Sequence, residues 1–190
     1  LDTFIAWAGR TPPGQLLHAD GGATLRDLER SPRGAIFIVS HVGNVDLSRA
    51  LLDDATRRRL TVLVHTRHAK NYNRVIEKFN PEAVTEMMQV SELGPESAIA
   101  LHERIEQGQW VAIAGDRTPI GGRENTTPMP FLGAPAPFSN GPYILASILG
   151  CPVYTLFCMR VGQEYRLDVR KLTDRIQLPR HDRPAALAVY

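Results

Sequence analysis

Residues 35–46 read Ala-Ile-Phe-Ile-Val-Ser-His-Val-Gly-Asn-Val-Asp. The apolar run predicts a buried strand that ends near His41, and Gly43 allows a turn there. Asn44 is a favourable N-cap for a helix whose first turn contains Asp46. A histidine whose second ring nitrogen is held by a carboxylate can take a proton from a hydroxyl group. We therefore predict a catalytic His41–Asp46 pair that acts on an alcohol.

Outward from this segment, strands and helices alternate. Further strands are predicted at 60–64, 110–114, 153–159 and 165–172, and helices at 45–54, 72–79, 96–107 and 142–149. Residues 115–140 are interpreted as a long irregular stretch. This order predicts an α/β fold, a mostly parallel mixed β-sheet flanked by helices. We expect one domain over residues 1–190, truncated at both ends.

Polar residues follow three of these strands. His41 ends the first, His65-Thr66-Arg67 follows the second, and Gly115-Asp116-Arg117 follows the third. Sites in such sheets form at the carboxyl ends of the strands. We therefore expect these residues to meet at one edge of the sheet.

No nucleophile accompanies the predicted pair. The sequence contains no G-x-S-x-G motif of a serine hydrolase. Cys151 and Cys158 are interpreted as buried free thiols in a reducing compartment. His41 would then activate a hydroxyl of the substrate, which attacks a thioester directly, without a covalent enzyme intermediate.

Charge is concentrated in residues 49–78, where eight Lys or Arg stand against three acids. Such a patch either docks an acidic carrier protein or anionic headgroups, or is simply a solvated helix face. No run approaches the roughly 20 apolar residues that cross a bilayer, and no signal peptide is visible.

Segment 40–46 resembles the catalytic block of the lysophospholipid/glycerol-phosphate acyltransferase superfamily, and within it the bacterial lipid A late acyltransferase-like branch. Further blocks agree in order at 64–73, at 114–117 with 129–136, and at 141–154. Together they span about residues 34–160. The F-P-E-G motif of the glycerol-phosphate branch is absent, which argues against a simple glycerol-phosphate acceptor.

The resemblance implies transfer of a fatty acyl group from acyl carrier protein or coenzyme A to a hydroxyl or amine of a lipid or glycolipid. It implies His41 as general base and Asp46 as its partner. The predicted substrate-binding residues are Asn44, Arg67, Asp116, Arg117, Phe131 and Gly133. No bound cofactor, metal or nucleic acid is expected. The expected location is cytoplasmic, peripheral to the inner membrane.

Two alternatives stay open. His65 and His68 with His41 and Asp46 suggest the metal site of a hydrolase. A non-catalytic lipid- or carrier-binding module on the same fold is the other, although the intact His–Asp pair argues against it. The apolar loop 127–133 either touches lipid, lines an acyl tunnel or folds back on the core.

Overall fold

The computed structural model describes residues 16–17, 22–50, 54–64, 86–118, 125–162, 164–179 and 186–190. In this part of the chain the strands are β1 (Leu16–Leu17), β2 (Ile36–Gly43), β3 (Leu60–Val64), β4 (Glu86–Gln89), β5 (Trp110–Ala114), β6 (Thr126–Phe131), β7 (Ala134–Ser139), β8 (Val153–Val161) and β9 (Glu164–Thr173). The helices are α1 (Gly22–Arg30), α2 (Val45–Ala50), α3 (Asp54–Arg58), α4 (Pro95–Glu106) and α5 (Gly141–Leu149).

Seven of the described strands form one sheet in the order β1-β9-β8-β2-β5-β3-β4. All neighbours are parallel except β8 and β9, which are antiparallel. The predicted α/β fold with a mostly parallel mixed sheet is therefore confirmed. The apolar segment that leads into His41 forms β2, the central strand, between β5 and β8.

The central strands are apolar on both faces because both faces of a parallel sheet are covered. One face carries residues such as Ile36, Ile38 and Ile113, which pack with α4 and α5 into a closed core. The opposite face carries Phe37 and Trp110, whose rings meet edge to face at 5.5 Å. Alternate residues of the same strand thus serve two separate apolar clusters.

Strand β2 runs past its predicted end and through Gly43, which pairs with Cys158 on β8. Gly43 has a φ of +84°, and a Cβ at this position would lie 2.0 Å from the Cys158 carbonyl oxygen. Only glycine permits this close approach. Of the predicted helix 45–54, residues 45–50 form α2 and residue 54 begins α3, while residues 51–53 and the predicted helix 72–79 lie outside the described residues.

The prediction of an irregular stretch from 115 to 140 is wrong over its second half. Strands β6 and β7 form an antiparallel hairpin with Leu132 and Gly133 in its turn. Four prolines in these two strands argued against a sheet, because proline lacks the amide hydrogen that a ladder uses. Strand β4 was not predicted either, since its sequence Glu-Met-Met-Gln shows no β-branched or aromatic residue.

The basic segment 49–78 is less exposed than the sequence suggests. Arg49 and Arg57 are buried, and Arg59 donates to the Gly108 carbonyl oxygen and lies over the Trp110 ring. Arg49 and Arg57 are therefore not part of an exposed docking surface, and Arg59 is only partly exposed. Arg58 is exposed. The basic residues from 67 to 78 lie outside the described residues.

No helix among the described residues is long and apolar enough to span a membrane.

Candidate active site

The adjacent strands β2 and β5 bring His41 and Asp116 together. Val39 pairs with Ala114 in the parallel register, so the residues that follow them, Ser40-His41 and Gly115-Asp116, lie side by side at the carboxyl edge of the sheet. Gly115 makes this possible at close range, because a Cβ there would lie 2.7 Å from the Ile38 side chain. The edge predicted from the sequence is therefore where these two residues meet.

The Asp116 carboxylate receives three hydrogen bonds from β2. Its Oδ2 atom accepts from the Ser40 hydroxyl at 2.8 Å and from the His41 amide at 2.6 Å, while Oδ1 lies 2.8 Å from His41 Nδ1. The Ser40 hydroxyl also accepts from the Val42 amide at 3.0 Å. Both oxygens of one carboxylate thus hold the backbone and the ring of the same histidine.

The electrostatics of Asp116 follow from these contacts. Partial burial raises the pKa of this carboxyl group, but the hydrogen bonds from the His41 ring, the His41 amide and Ser40 outweigh it. The pKa of Asp116 therefore lies below its usual range, and the group is a carboxylate at neutral pH. The Asp116 side chain is 23% exposed and that of His41 is 40% exposed, so the ring remains accessible to a substrate.

The structure corrects the predicted His41–Asp46 contact, because the carboxylate on the His41 ring belongs to Asp116. Asp46 lies in the first turn of α2 and bonds Arg49 Nη2 at 3.1 Å, three residues further along the helix. Asn44 caps α2 as predicted, since its Oδ1 atom accepts from the Leu47 amide at 3.0 Å, and it is not among the residues that line the cavity described below. Nearness in the sequence suggested Asp46 as the carboxylate partner of His41, whereas the pairing of β2 with β5 brings Asp116 to the His41 ring.

A cavity of about 400 Å³ opens beside His41, and Asp46, Arg49 and Arg117 also line it. Its size falls within the ~300–1,000 Å³ usual for small-molecule sites. Beyond this polar mouth the lining is apolar and lies on the sheet face that carries Phe37 and Trp110. Arg117 was predicted as a substrate-site residue, and the structure places it at this cavity.

The depth of the cavity can be read from the strand register. Below His41, the lining residues form rows: Val39 with Ala114, then Phe37 with Ala112, then Trp110 with Leu60. The Trp110 row lies six residues below His41 along β2, which at about 3.3 Å per residue gives roughly 20 Å. Trp110, which is 2% exposed, belongs to the lowest of these rows.

Two further predicted residues, Phe131 and Gly133, do not join this group. Phe131 and Gly133 lie at the turn of the β6–β7 hairpin, where Phe131 packs against Phe138 with ring centroids 5.7 Å apart. Neither residue is among those that line the cavity. Arg67, like His65 and His68, lies outside the described residues.

Neither cysteine suits covalent catalysis. Both thiols are buried and free, as predicted from the sequence. Burial raises the pKa of Cys151 and of Cys158 to about 11, so both remain protonated near neutral pH. Cys151 also precedes β8, at the edge of the sheet opposite to His41.

Within the described ranges, no three His, Cys, Asp or Glu side chains are grouped so that they could hold a metal ion. The other polar or charged residues that line the cavity with His41 are Asp46, Ser48, Arg49 and Arg117, and the rest of the lining is apolar.

A histidine oriented by a carboxylate at the mouth of an apolar cavity is the arrangement of an enzyme that activates a group beside an apolar substrate. The family model of the bacterial lipid A biosynthesis acyltransferases matches residues 17–180, and the chain belongs to this family. It is therefore an acyltransferase of lipid biosynthesis, and the resemblance stated from the sequence is confirmed. No curated protein matches the chain.

Proposed function

We propose that this acyltransferase moves a fatty acyl group from a thioester donor, acyl carrier protein or coenzyme A, to a hydroxyl or amine of a membrane lipid or glycolipid. The observation that carries the proposal is the His41 ring, held by Asp116 at the mouth of an apolar cavity. The reaction takes place at the cytoplasmic surface of the inner membrane, with the enzyme peripherally bound.

His41 acts as the general base. With Nδ1 donating to Asp116, the tautomer leaves the lone pair on Nε2, and this atom has no hydrogen-bond partner among the described residues. Nε2 takes the proton of the acceptor hydroxyl as its oxygen attacks the thioester carbonyl carbon. The tetrahedral intermediate then breaks its C–S bond, and the leaving thiolate takes the proton from the imidazolium. The Asp116 carboxylate stabilises the imidazolium while it lasts.

The fatty chain of the donor occupies the cavity below His41. Its apolar rows give the chain a dry environment worth about 0.8 kcal/mol for each buried methylene. An extended chain advances about 1.25 Å per carbon, given C–C bonds of about 1.5 Å. A depth of roughly 20 Å therefore accommodates a chain of roughly 16 carbons, with Trp110 as the stop.

The test compares His41→Ala with His102→Ala, a control variant that removes a histidine from α4. Among the described residues, His102 forms a hydrogen bond to the Leu149 carbonyl oxygen and lies 4.0 Å from the Glu106 carboxylate. Release of free thiol from acyl-coenzyme A and acyl carrier protein is measured together with labelled acyl transfer to glycolipid and phospholipid acceptors. Loss of a general base costs about 10²–10⁴-fold in turnover. We expect this loss only in His41→Ala, with circular dichroism unchanged.

Near-normal turnover in a folded His41→Ala variant would contradict the assignment of the base. Loss of transfer in both variants would instead point to a general effect on the fold.

A further inference from the structure

The β6–β7 hairpin presents an apolar surface that the catalytic arrangement does not use. Leu132 at its tip is 91% exposed, and its neighbours Met129 and Phe131 are 39% and 50% exposed. The surrounding sequence carries no charged residue from Asn125 to Met159. Single exposed apolar residues are common, but a contiguous apolar projection without charges marks an interaction site.

The turn of this hairpin is built with an unfavourable residue. Leu132 and Gly133 both have positive φ angles, +51° and +84°, as in the two-residue type I′ turn. Asn-Gly is the preferred pair for such a turn, whereas a bulky side chain strains the left-handed conformation. Leucine is therefore poor for the turn, and its almost complete exposure gives it no packing in return.

The edges of the hairpin are equally unusual. A two-residue turn makes its flanking residues, Phe131 and Ala134, a hydrogen-bonded pair, and hydrogen-bonded and non-hydrogen-bonded pairs alternate along an antiparallel ladder. Pro130 with Pro135 and Pro128 with Pro137 are therefore non-hydrogen-bonded pairs, at which a backbone amide would point away from the partner strand. Proline has no amide hydrogen. Between 128 and 137, all described residues, the two edges thus offer no outward backbone donor, and no strand of another protein can form a full ladder on them.

We propose that the tip of this hairpin, residues 129–133, inserts into the interfacial region of a lipid bilayer. Backbone donors left unpaired in hydrocarbon are costly, and here proline has removed the ones that would face outward. An uncharged tip with Leu132, Phe131 and Met129 matches the apolar boundary below the headgroups. A partner protein adding a strand is disfavoured by the same prolines.

The hairpin also lies at the edge of the sheet where the site is. Strand β5 ends at this edge, and α5, which returns the chain to the start of β8, begins there. The described elements on either side of the hairpin therefore have their nearer ends on the side of His41. Insertion of the hairpin would place that edge of the sheet against the membrane. The inference deepens the proposed function, and it rests on that function because the acceptor is taken to be a membrane lipid.

The test measures flotation of the purified chain with vesicles of phosphatidylethanolamine and phosphatidylglycerol. Leu132→Asn removes the apolar tip and at the same time supplies the preferred turn residue. Met129→Ser is a second variant, and Ile99→Asn, at a 61% exposed position on α4, is the matched control. In Leu132→Cys, a polarity-sensitive fluorophore reports insertion directly, because Cys151 and Cys158 are buried with a raised pKa.

We expect Leu132→Asn to lower the vesicle partition coefficient about ten-fold or more. Its melting temperature should be unchanged or higher, and Ile99→Asn should behave as the parent chain. The fluorophore in Leu132→Cys should shift to shorter wavelength with vesicles. Unchanged partitioning of Leu132→Asn and Met129→Ser, or no spectral shift, would overturn the proposal. So would a concentration-dependent dimer that Leu132→Asn abolishes, since the hairpin would then join two copies.

Failure of this proposal and of the proposed function are distinguishable. Acyl transfer to a detergent-dispersed acceptor should survive in Leu132→Asn. If vesicle binding is unaffected while this transfer proceeds, the function stands and the insertion is wrong. If no donor supports transfer but Leu132→Asn still loses vesicle binding, the insertion stands and the function is wrong.

Discussion

Replacement of Asp116 by asparagine tests the site most directly, because asparagine keeps the shape of the side chain and removes its charge. The native carboxylate accepts from the His41 ring through one oxygen and from the His41 amide and the Ser40 hydroxyl through the other. Asparagine has one acceptor oxygen and one NH₂ group. In the asparagine variant, the NH₂ group, a donor, must therefore stand where one of the two accepting oxygens of Asp116 stands in the native chain.

Each orientation has a different cost. If the NH₂ group faces the ring, His41 Nδ1 must accept, the proton moves to Nε2, and the histidine is no longer a base toward the substrate. Holding a catalytic histidine in the wrong tautomer costs about 10⁴-fold in kcat. If the NH₂ group faces the His41 amide, two donors oppose each other. A hydrogen bond to a charged group is worth about 1.5–3 kcal/mol, and partial exposure reduces the expected destabilisation to about 1–2 kcal/mol.

The assay is thioester cleavage coupled to acyl transfer, with Asp46→Asn as the matched variant. We expect Asp116→Asn to lower kcat by about 10²–10⁴-fold and Asp46→Asn to lower it less than about ten-fold. Asp46 bonds Arg49 rather than His41. A severe loss in Asp46→Asn with near-native activity in Asp116→Asn would refute the assignment and favour the pairing implied by the sequence resemblance.

The same substitution has a pH signature. The pKa of Asp116 lies below its usual value, so its stabilising contribution is complete above the unfolded-state pKa of about 3.9. This contribution is lost as the pH falls through the lower pKa of the folded state. The difference in unfolding free energy between the parent chain and Asp116→Asn should therefore shrink as the pH falls below about 4. A difference that is constant over this interval would contradict the ionised state of Asp116.

Three further outcomes are expected. In Ala112→Leu, the larger side chain projects into the cavity and displaces about three methylenes of the acyl chain, a loss of about 2.4 kcal/mol in binding free energy. The ratio of kcat/KM for long donors to kcat/KM for short donors should therefore fall about fifty-fold, and an unchanged ratio would show that the acyl chain does not occupy the cavity. Gly43→Ala, at a positive φ and against the Cys158 carbonyl, should lower the unfolding free energy by at least about 2 kcal/mol in chemical denaturation. Arg57→Glu should destabilise the chain in thermal melts while Arg58→Glu, on the exposed side of α3, leaves the melting temperature unchanged.

The sheet was largely predictable from the sequence because its central strands are apolar without interruption. The segments 36–38 and 110–113 are buried on both faces, and such a segment appears in the sequence as a short apolar run between turn residues. Strand β4 lies at the edge, where Arg104 joins it by an ion pair with Glu86. An edge strand that is stabilised in part by an ion pair does not need a continuous apolar run, so the hydrophobic pattern of the sequence did not predict β4.

The sequence predicted the location of the site, at the carboxyl edge of the sheet, but not the side-chain contacts within it. The rule that strand ends gather at one edge brought His41 and Asp116 together correctly. The choice of Asp46 as partner came from nearness in the chain, whereas the contact that forms joins residues from two neighbouring strands. The hairpin was missed for a related reason: its prolines break a ladder only at hydrogen-bonded positions, and register is a property of paired strands.

The two faces of the sheet separate two properties of the enzyme that usually conflict. Residues 36, 38, 111 and 113 belong to the closed core, while 37, 39, 112 and 114 face the cavity. Under the proposed function, residues that pack the closed core and residues that contact the acyl chain alternate along the same strands, one residue apart. Substitutions at the cavity positions would then change the acyl chain that the enzyme accepts while the cluster on the opposite face keeps its packing.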